Sequence, residues 1–270
     1  MTPQVFAILS GLIEEKLGLT YALADKGLLE SKVASRVLEL GFDSALEYYY
    51  CLRYDDPHEV ELQSLTEALV VNETFFFREY DQLHAVLSSF VAPLIARGAR
   101  PRIWSAACST GEEPATIAMW LADRNLLGSV ELFASDISAN ALAVARAGRY
   151  RARSLRQIPN GVDPERWIKR DGEIFVLRHE IREAIQFRRL NLLDERAVAE
   201  MGAMDIVLCR NLLIYFRDDV VRQVVDRLVA QLVPAGVLLV GVSESLMRFG
   251  AAVACEEHAG AFVYRKRASP

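Results

Sequence analysis

The sequence predicts an α/β chain: an all-α helical domain, then a parallel sheet covered by helices on both faces, with a small antiparallel β-subdomain inserted into it. Three observations carry this. Residues 1–70 place apolar side chains at helical spacing and show no strand signal. From Ile103 onward, short apolar runs alternate with helical stretches, the pattern of strands buried on both faces. Residues 151–190 break that alternation with two strand-like stretches. There are no internal repeats and no low-complexity tracts.

In residues 1–70, Phe6, Leu9, Ile13 and Leu17 recur at helical spacing until Gly18 stops them. Leu28, Leu29, Val33, Val37 and Leu40 repeat the pattern, with Gly41 as the expected C-cap. Asp43-Ser44 opens a third helix through Tyr48 and Leu52, and Pro57 stands near the start of a fourth that ends around Leu69. Residues 71–80 are aromatic-rich and aperiodic, a linker into the domain 81–270. After Asp81 a helix runs to about Ile95. Ile103–Ala107 is a strand, Glu113–Leu121 a helix with Pro114 in its first turn, Val130–Ser135 a second strand, and Ser138 an N-cap for a helix to Ala147. Within 151–190, Glu173–Arg178 and Ile185–Leu190 read as an antiparallel pair around a turn. Asp205–Cys209 is a buried strand and Asp218–Leu232 a helix. Pro234-Ala235-Gly236 turns into the strand Val237–Gly241, and Ala261–Arg265 closes as a last strand. The end, Arg265 to Pro270, reads as a solvated tail.

Composition bounds the function. With 52% hydrophobic and 25% charged residues among 270, the chain is an ordinary globular protein. A net charge of −5 argues against nucleic acid, which needs a basic footprint. The charge is uneven: residues 1–70 hold 5 Lys+Arg against 12 Asp+Glu, and the remainder 26 against 24. No leader and no membrane span are read, so a cytoplasmic protein is expected. The cysteines Cys51, Cys108, Cys209 and Cys255 are scattered, and the four histidines lack ligand spacing; neither disulfides nor a metal is expected. Nothing demands a dimer, so a monomer is expected.

Ligands of open α/β sheets bind at the C-terminal ends of the strands. The first such loop is Ala106-Ala107-Cys108-Ser109-Thr110-Gly111-Glu112-Glu113-Pro114. Gly111 permits the turn into the helix. There is no glycine-rich phosphate loop and no Lys, and two glutamates occupy the helix N-terminus where a phosphate would otherwise sit. They suit a cationic ligand, although they equally complement the helix dipole. The second strand ends at Asp136, placed either to bind ribose hydroxyls or to cap the next helix. Together these features suggest a nucleoside ligand without phosphates.

Four stretches now carry a resemblance. Asn72-Glu73-Thr74-Phe75-Phe76-Phe77-Arg78, Trp104 through Pro114, Phe133-Ala134-Ser135-Asp136-Ile137, and Cys209-Arg210-Asn211-Leu212-Leu213-Ile214-Tyr215-Phe216 resemble, in order, the motifs of the chemotaxis receptor glutamate O-methyltransferase (CheR) family. The resemblance implies a Rossmann-like methyltransferase sheet that uses S-adenosylmethionine and yields S-adenosylhomocysteine. It implies that Asn72, Thr74 and Arg78 reach over the cofactor. Glu113 would contact it, with Gly111 in the turn, Asp136 on the ribose, Asn191 and Leu192 beside the adenine, and Arg210 and Asn211 at the fourth strand's tip. Arg78 and Tyr215 match the residues proposed to sit nearest the methyl transfer.

The implied acceptor is a glutamate carboxylate on chemoreceptor cytoplasmic helices. In the family the helical domain docks these with basic residues. Lys26, Lys32 and Arg36 are the corresponding cations, though Glu30 and Glu39 interrupt them. The insert has a short hairpin turn, Lys169 to Glu173, and a tether-independent enzyme is expected. Two other readings stay open: a methyltransferase for a different acceptor, and a cofactor-binding regulatory module without turnover.

Overall fold

The computed structural model describes residues 1–250 and 252–267. They fall into two compact units. One is Met1–Val71 with Tyr215–Val221; the other is Asn72–Ile214 together with the chain from Arg222.

The first unit is built on four helices, α1 (Pro3–Leu17), α2 (Lys26–Leu40), α3 (Ala45–Tyr50) and α4 (Val60–Leu69). Thr2 accepts a hydrogen bond from Val5 N and Pro3 opens α1, a start that needs no donor from proline. Gly18 ends α1 at φ 75, and a Cβ there would lie 3.0 Å from the Phe216 ring. The last helix starts at Val60, later than Pro57 suggests. Glu59 is left-handed, and the Asp56 carboxylate accepts from Val60 N and Leu62 N instead. Leu9, Ile13, Leu29, Val33, Leu65 and Leu69 form the core, each worth about 1.5–3 kcal/mol of transfer from water.

The second unit holds the strands β1 (Arg102–Ala106), β2 (Glu131–Asp136), β3 (Arg149–Arg151), β4 (Ile168–Asp171), β5 (Ile174–Leu177), β6 (Ile185–Arg189), β7 (Met204–Cys209), β8 (Leu232–Val240), β9 (Val253–His258) and β10 (Ala261–Lys266). Seven make one sheet in the order β6-β2-β1-β7-β8-β10-β9. The first five run parallel, and β10 pairs antiparallel with both β8 and β9. This is the Rossmann-like sheet expected. Strand order reverses between β1 and β7, so ligands belong outside their carboxyl ends. Helices α5 (Tyr80–Val86) and α6 (Ala92–Ala96) form the Tyr80–Ala96 rod through an intervening turn. Helices α7 (Glu112–Ala122) and α8 (Ala139–Ala147) lie against β2 and β6. The remaining helices are α9 (His179–Glu183), α10 (Glu195–Ala199) and α11 (Asp218–Gln231).

Three sequence expectations are corrected. Ile185–Arg189 does not pair with the insert; it is an edge strand parallel to β2. Its alternation of apolar and polar residues marks a half-exposed strand but not the sheet it joins. The insert is instead a three-stranded antiparallel sheet, β3-β5-β4, with Gly172 in the hairpin at φ 62. Pro234-Ala235-Gly236 is not a free turn but an irregularity inside β8, with Ala235 at φ 65. The last strand runs one residue beyond the expected Arg265, so that Lys266, read as tail, belongs to β10; Ala268–Pro270 lie outside the described residues.

Candidate cofactor site

The loop after β1 is bent by residues in left-handed conformations: Ala107 at φ 61, Ser109 at φ 50 and Gly111 at φ 89. Only Gly111 avoids strain there, and it is also needed sterically. A Cβ would lie 2.7 Å from that of Ala145, so glycine lets the start of α7 approach α8. The bend presents Ser109 N to Asp136 Oδ2 at 2.7 Å, while Asp136 Oδ1 accepts from Ser138 N at 2.9 Å. Two backbone donors therefore fix this carboxylate at the tip of β2.

At the tip of β7, Arg210 links three segments. Its Nη1 donates to Glu113 Oε2 at 2.7 Å. Nη2 donates to Glu79 Oε2 at 2.8 Å and to the Arg78 carbonyl at 2.9 Å. Glu113 Oε1 accepts from Ser105 Oγ at 2.6 Å, which ties α7 to β1. Asn211, at φ 59, donates its Nδ2 to Glu79 Oε1 at 3.2 Å, and its N–H to Glu244 Oε2 at 2.8 Å. Gly241 N donates to the same Glu244 oxygen at 2.7 Å. A Cβ on Gly241 would lie 2.7 Å from Asn211 Nδ2 and 2.8 Å from Glu244 Oε2, so a side chain there would break the arrangement.

The linker is pinned from several sides. Ser109 Oγ donates to Asn72 Oδ1 at 3.4 Å, Phe76 N to Ser154 O at 2.8 Å, and Phe77 N to Thr116 Oγ1 at 3.1 Å. Phe76 is fully buried and meets the Tyr150 ring edge-on at 4.8 Å. Its aromatic run thus anchors the linker, leaving Thr74 and Arg78 half-buried. Arg78 Nη1 donates to the Glu73 carbonyl at 3.0 Å. On the far side, Leu190 N donates to Asp136 O at 2.9 Å, which brings Asn191 and Leu192 next to the tip of β2.

The structure thus joins Arg78, Glu113, Arg210 and Asn211 through direct or one-residue contacts, and Asn72 to Asp136 through Ser109, with Gly111 shaping the loop and Thr74, Asn191 and Leu192 adjoining. Tyr215, 37% exposed, belongs to the helical unit, as do Lys26, Lys32 and Arg36. Two of those cations are engaged inside that unit. Lys32 Nζ donates to the Ala68 and Leu69 carbonyls, and Arg36 forms a two-point pair with Glu61 at 2.9 and 2.6 Å.

Sequence reading missed Ser105, Glu79 and Glu244. Glu79 follows directly on the aromatic motif, which was its only signal; Glu244 had none beyond its spacing from Gly241. Burial works to raise the Glu79 carboxyl, but the Arg210 charge and hydrogen bond hold it below the usual carboxylate range. Burial pushes the Glu112 carboxyl up, against hydrogen bonds from Thr110 and Ser154. Burial also raises the thiols of Cys108 and Cys209, which keeps them unreactive.

At the strand tips Arg210 lies between the carboxylates of Glu79 and Glu113, Glu244 accepts from Asn211 N beside it, and Asp136 stands at the tip of β2. Buried Arg210 Nε and Glu244 Oε1 have no protein partner. That donor set repels phosphate and fits a nucleoside carrying positive charge, as S-adenosylmethionine does. Among the described residues, no group of three or more His, Cys, Asp and Glu could hold a metal ion, and no helix is long and apolar enough to cross a membrane.

Residues 72–259 match the family described as CheR methyltransferase, SAM binding domain. Chemotaxis protein methyltransferase 2 of Vibrio cholerae is 35% identical over 239 residues, 87% of this chain and 83% of that protein. The Chemotaxis protein methyltransferase of Escherichia coli is 32% identical over 256 residues, 89% of this chain and 84% of that protein. The solved N-methyltransferase NodS from Bradyrhizobium japonicum, in complex with S-adenosyl-l-homocysteine, aligns at 16% identity and a TM-score of 0.40, covering 87% of this chain and 98% of that one.

Proposed function

The chain belongs to the CheR methyltransferase family, and on that premise we propose that it methylates glutamate side chains of a chemoreceptor-type protein in chemotaxis or chemosensory adaptation. Its cofactor is S-adenosylmethionine. Bound, that cofactor supplies a methyl group activated by a sulfonium. The reaction gives a glutamyl γ-methyl ester and S-adenosylhomocysteine. Asp136 is proposed to take the ribose hydroxyls, Glu113 and Arg210 the amino-acid end, and Asn191 and Leu192 the adenine, with Asn72, Thr74, Gly111 and Asn211 shaping the cavity.

One observation supports a carboxylate acceptor most directly. The Arg78 carbonyl is bonded to Arg210 at 2.9 Å, so the Arg78 backbone lies at the proposed cofactor site, with its guanidinium resting on the Glu73 carbonyl at 3.0 Å. A guanidinium fork is the natural holder of a carboxylate. A glutamate with a pKa of roughly 4.3 is already ionised at neutral pH, so no general base is needed. The enzyme's task is then placement, worth up to about 7–11 kcal/mol in well-oriented reactions. Arg78 is expected to hold one acceptor oxygen and leave the other free, because gripping both would stabilise the ground state. Tyr215 is assigned an orienting hydroxyl rather than a base. The helical unit is assigned acceptor docking, in which Lys26 counts for more than the internally bonded Lys32 and Arg36.

The test is transfer of labelled methyl from S-adenosylmethionine to membranes containing candidate receptors. Label released as methanol by mild alkali marks an ester. Alkali-stable label would point to a different acceptor, and cofactor binding without any transfer would point to a regulatory module.

A further inference from the structure

We propose that Glu79 is a positioning residue for the cofactor site: its carboxylate clasps the end of the Asn72–Arg78 linker to the tips of β7 and β8, and so holds Arg210 and Asn211 in the register that cofactor binding requires. This rests on the reading of the strand-tip cluster as the S-adenosylmethionine site.

The geometry is specific. Glu79 Oε2 accepts from Arg210 Nη2 at 2.8 Å and from Val242 N at 3.3 Å, and Oε1 accepts from Asn211 Nδ2 at 3.2 Å. One linker residue thereby joins strand ends 131 to 163 positions further along the chain. Its neighbour contributes in the same place, through the Arg78 carbonyl on Arg210 Nη2.

The backbone on both sides of this clasp is strained. Phe77, Glu79 and Asn211 sit at φ 63, 49 and 59, each a left-handed conformation that costs a non-glycine residue about 1 kcal/mol or more. Such strain persists only where surrounding bonds over-determine it. Glu79 supplies those bonds from one side and Glu244, through Asn211 N, from the other.

The Arg210 side chain is 2% exposed and lies between the carboxylates of Glu79 and Glu113. Without Glu79 it keeps Glu113 and a single carbonyl, and nothing fixes its second amino group against the linker. The linker would then lose its charged tie to β7 and its link to β8 together.

Calorimetric titration with S-adenosylhomocysteine tests this, because affinity reports on the folded molecules alone. A merely structural residue would lower the titratable fraction and the Tm while leaving Kd unchanged. In Glu79→Gln, which keeps the size and loses the charge, Kd is expected to rise at least about tenfold, the scale of losing charge-assisted hydrogen bonds. Glu79→Asp keeps the charge but falls short of the strand tips, and a several-fold rise is expected; it decides the matter alone if Glu79→Gln does not fold. Unchanged Kd in the folded variants would overturn the clasp. Failure of the unsubstituted protein to bind S-adenosylhomocysteine would instead overturn the cofactor reading beneath it.

Discussion

Arg36 in the helical unit and Arg210 at the strand tips have the same retinue, two carboxylates around one guanidinium, but opposite surroundings. Arg36 lies within helix α2, bonded to Glu61 at two points and to Glu39, and Glu61 also accepts from the buried Tyr48 hydroxyl at 2.6 Å. Burial first, then that hydrogen bond to an anion, holds the Tyr48 phenol well above its ordinary range. No atom of the Arg36 side chain is among the buried groups left without a partner. Around Arg210 the partner Glu79 and the neighbouring Asn211 are left-handed, and buried Arg210 Nε and Glu244 Oε1 find no partner. A satisfied ionic cluster on regular helix is a fold device. Strain combined with unmet polar atoms marks a place prepared for something else.

That contrast predicts which substitutions touch activity and which touch stability. The largest effect is expected from Arg78→Ala: transfer falls by roughly 10²–10³-fold, the scale of losing a preorganised donor, while S-adenosylhomocysteine affinity stays within several-fold. Methyl transfer to receptor membranes with parallel calorimetry checks it, and near-normal turnover would remove Arg78 from the mechanism. Next comes Glu61→Ala, which removes the partner that Arg36 and Tyr48 share and leaves Arg36 only the exposed Glu39. It is expected to destabilise the helical unit by about 3 kcal/mol, near the lower end for broken buried pairs because Arg36 is still 18% exposed. Denaturant unfolding measures this, and cofactor affinity should not move.

The smallest expected effect concerns Glu112. Its folded-state pKa is raised, so the folded protein binds that proton more tightly than the unfolded chain. Stability then falls as pH rises from the ordinary carboxylate range through the raised value, and the cost is fully present above it. Glu112→Gln should raise Tm by a few degrees at neutral pH and lose that advantage in acid. A gain that persists below the ordinary carboxylate range would show that titration is not its cause.

What could be read from the sequence follows from how local each signal is. The glycine turn at Gly111, the acid at Asp136 and the strand–helix alternation are each written within about ten residues, and the structure has the strands and loops where they point. Glu79 and Glu244 escaped because their partners lie elsewhere: Glu79 meets Arg210 131 positions away, and Glu244 meets Asn211 N 33 positions back. Ser105 meets Glu113 8 residues on, but a serine inside an apolar strand carries no pattern that names a partner. Lys32 and Arg36 look like a basic face on one helix until another helix brings Glu61 to Arg36, 25 residues on, and the Ala68 and Leu69 carbonyls to Lys32. Ile185–Arg189 shows a strand pattern, but pattern does not name the neighbour, and here that is β2. β9 went unread because Glu256 and Glu257 interrupt its apolar run, as suits the edge of the sheet.

The most direct test titrates S-adenosylmethionine and S-adenosylhomocysteine into the unsubstituted protein, Asp136→Ala and Arg36→Met. Binding on the order of micromolar is expected, weakened at least about tenfold by Asp136→Ala as a hydrogen-bonded carboxylate is lost and unchanged per folded molecule by Arg36→Met. Binding that survives Asp136→Ala, or that falls in Arg36→Met instead, would contradict the placement of cofactor binding at the strand tips.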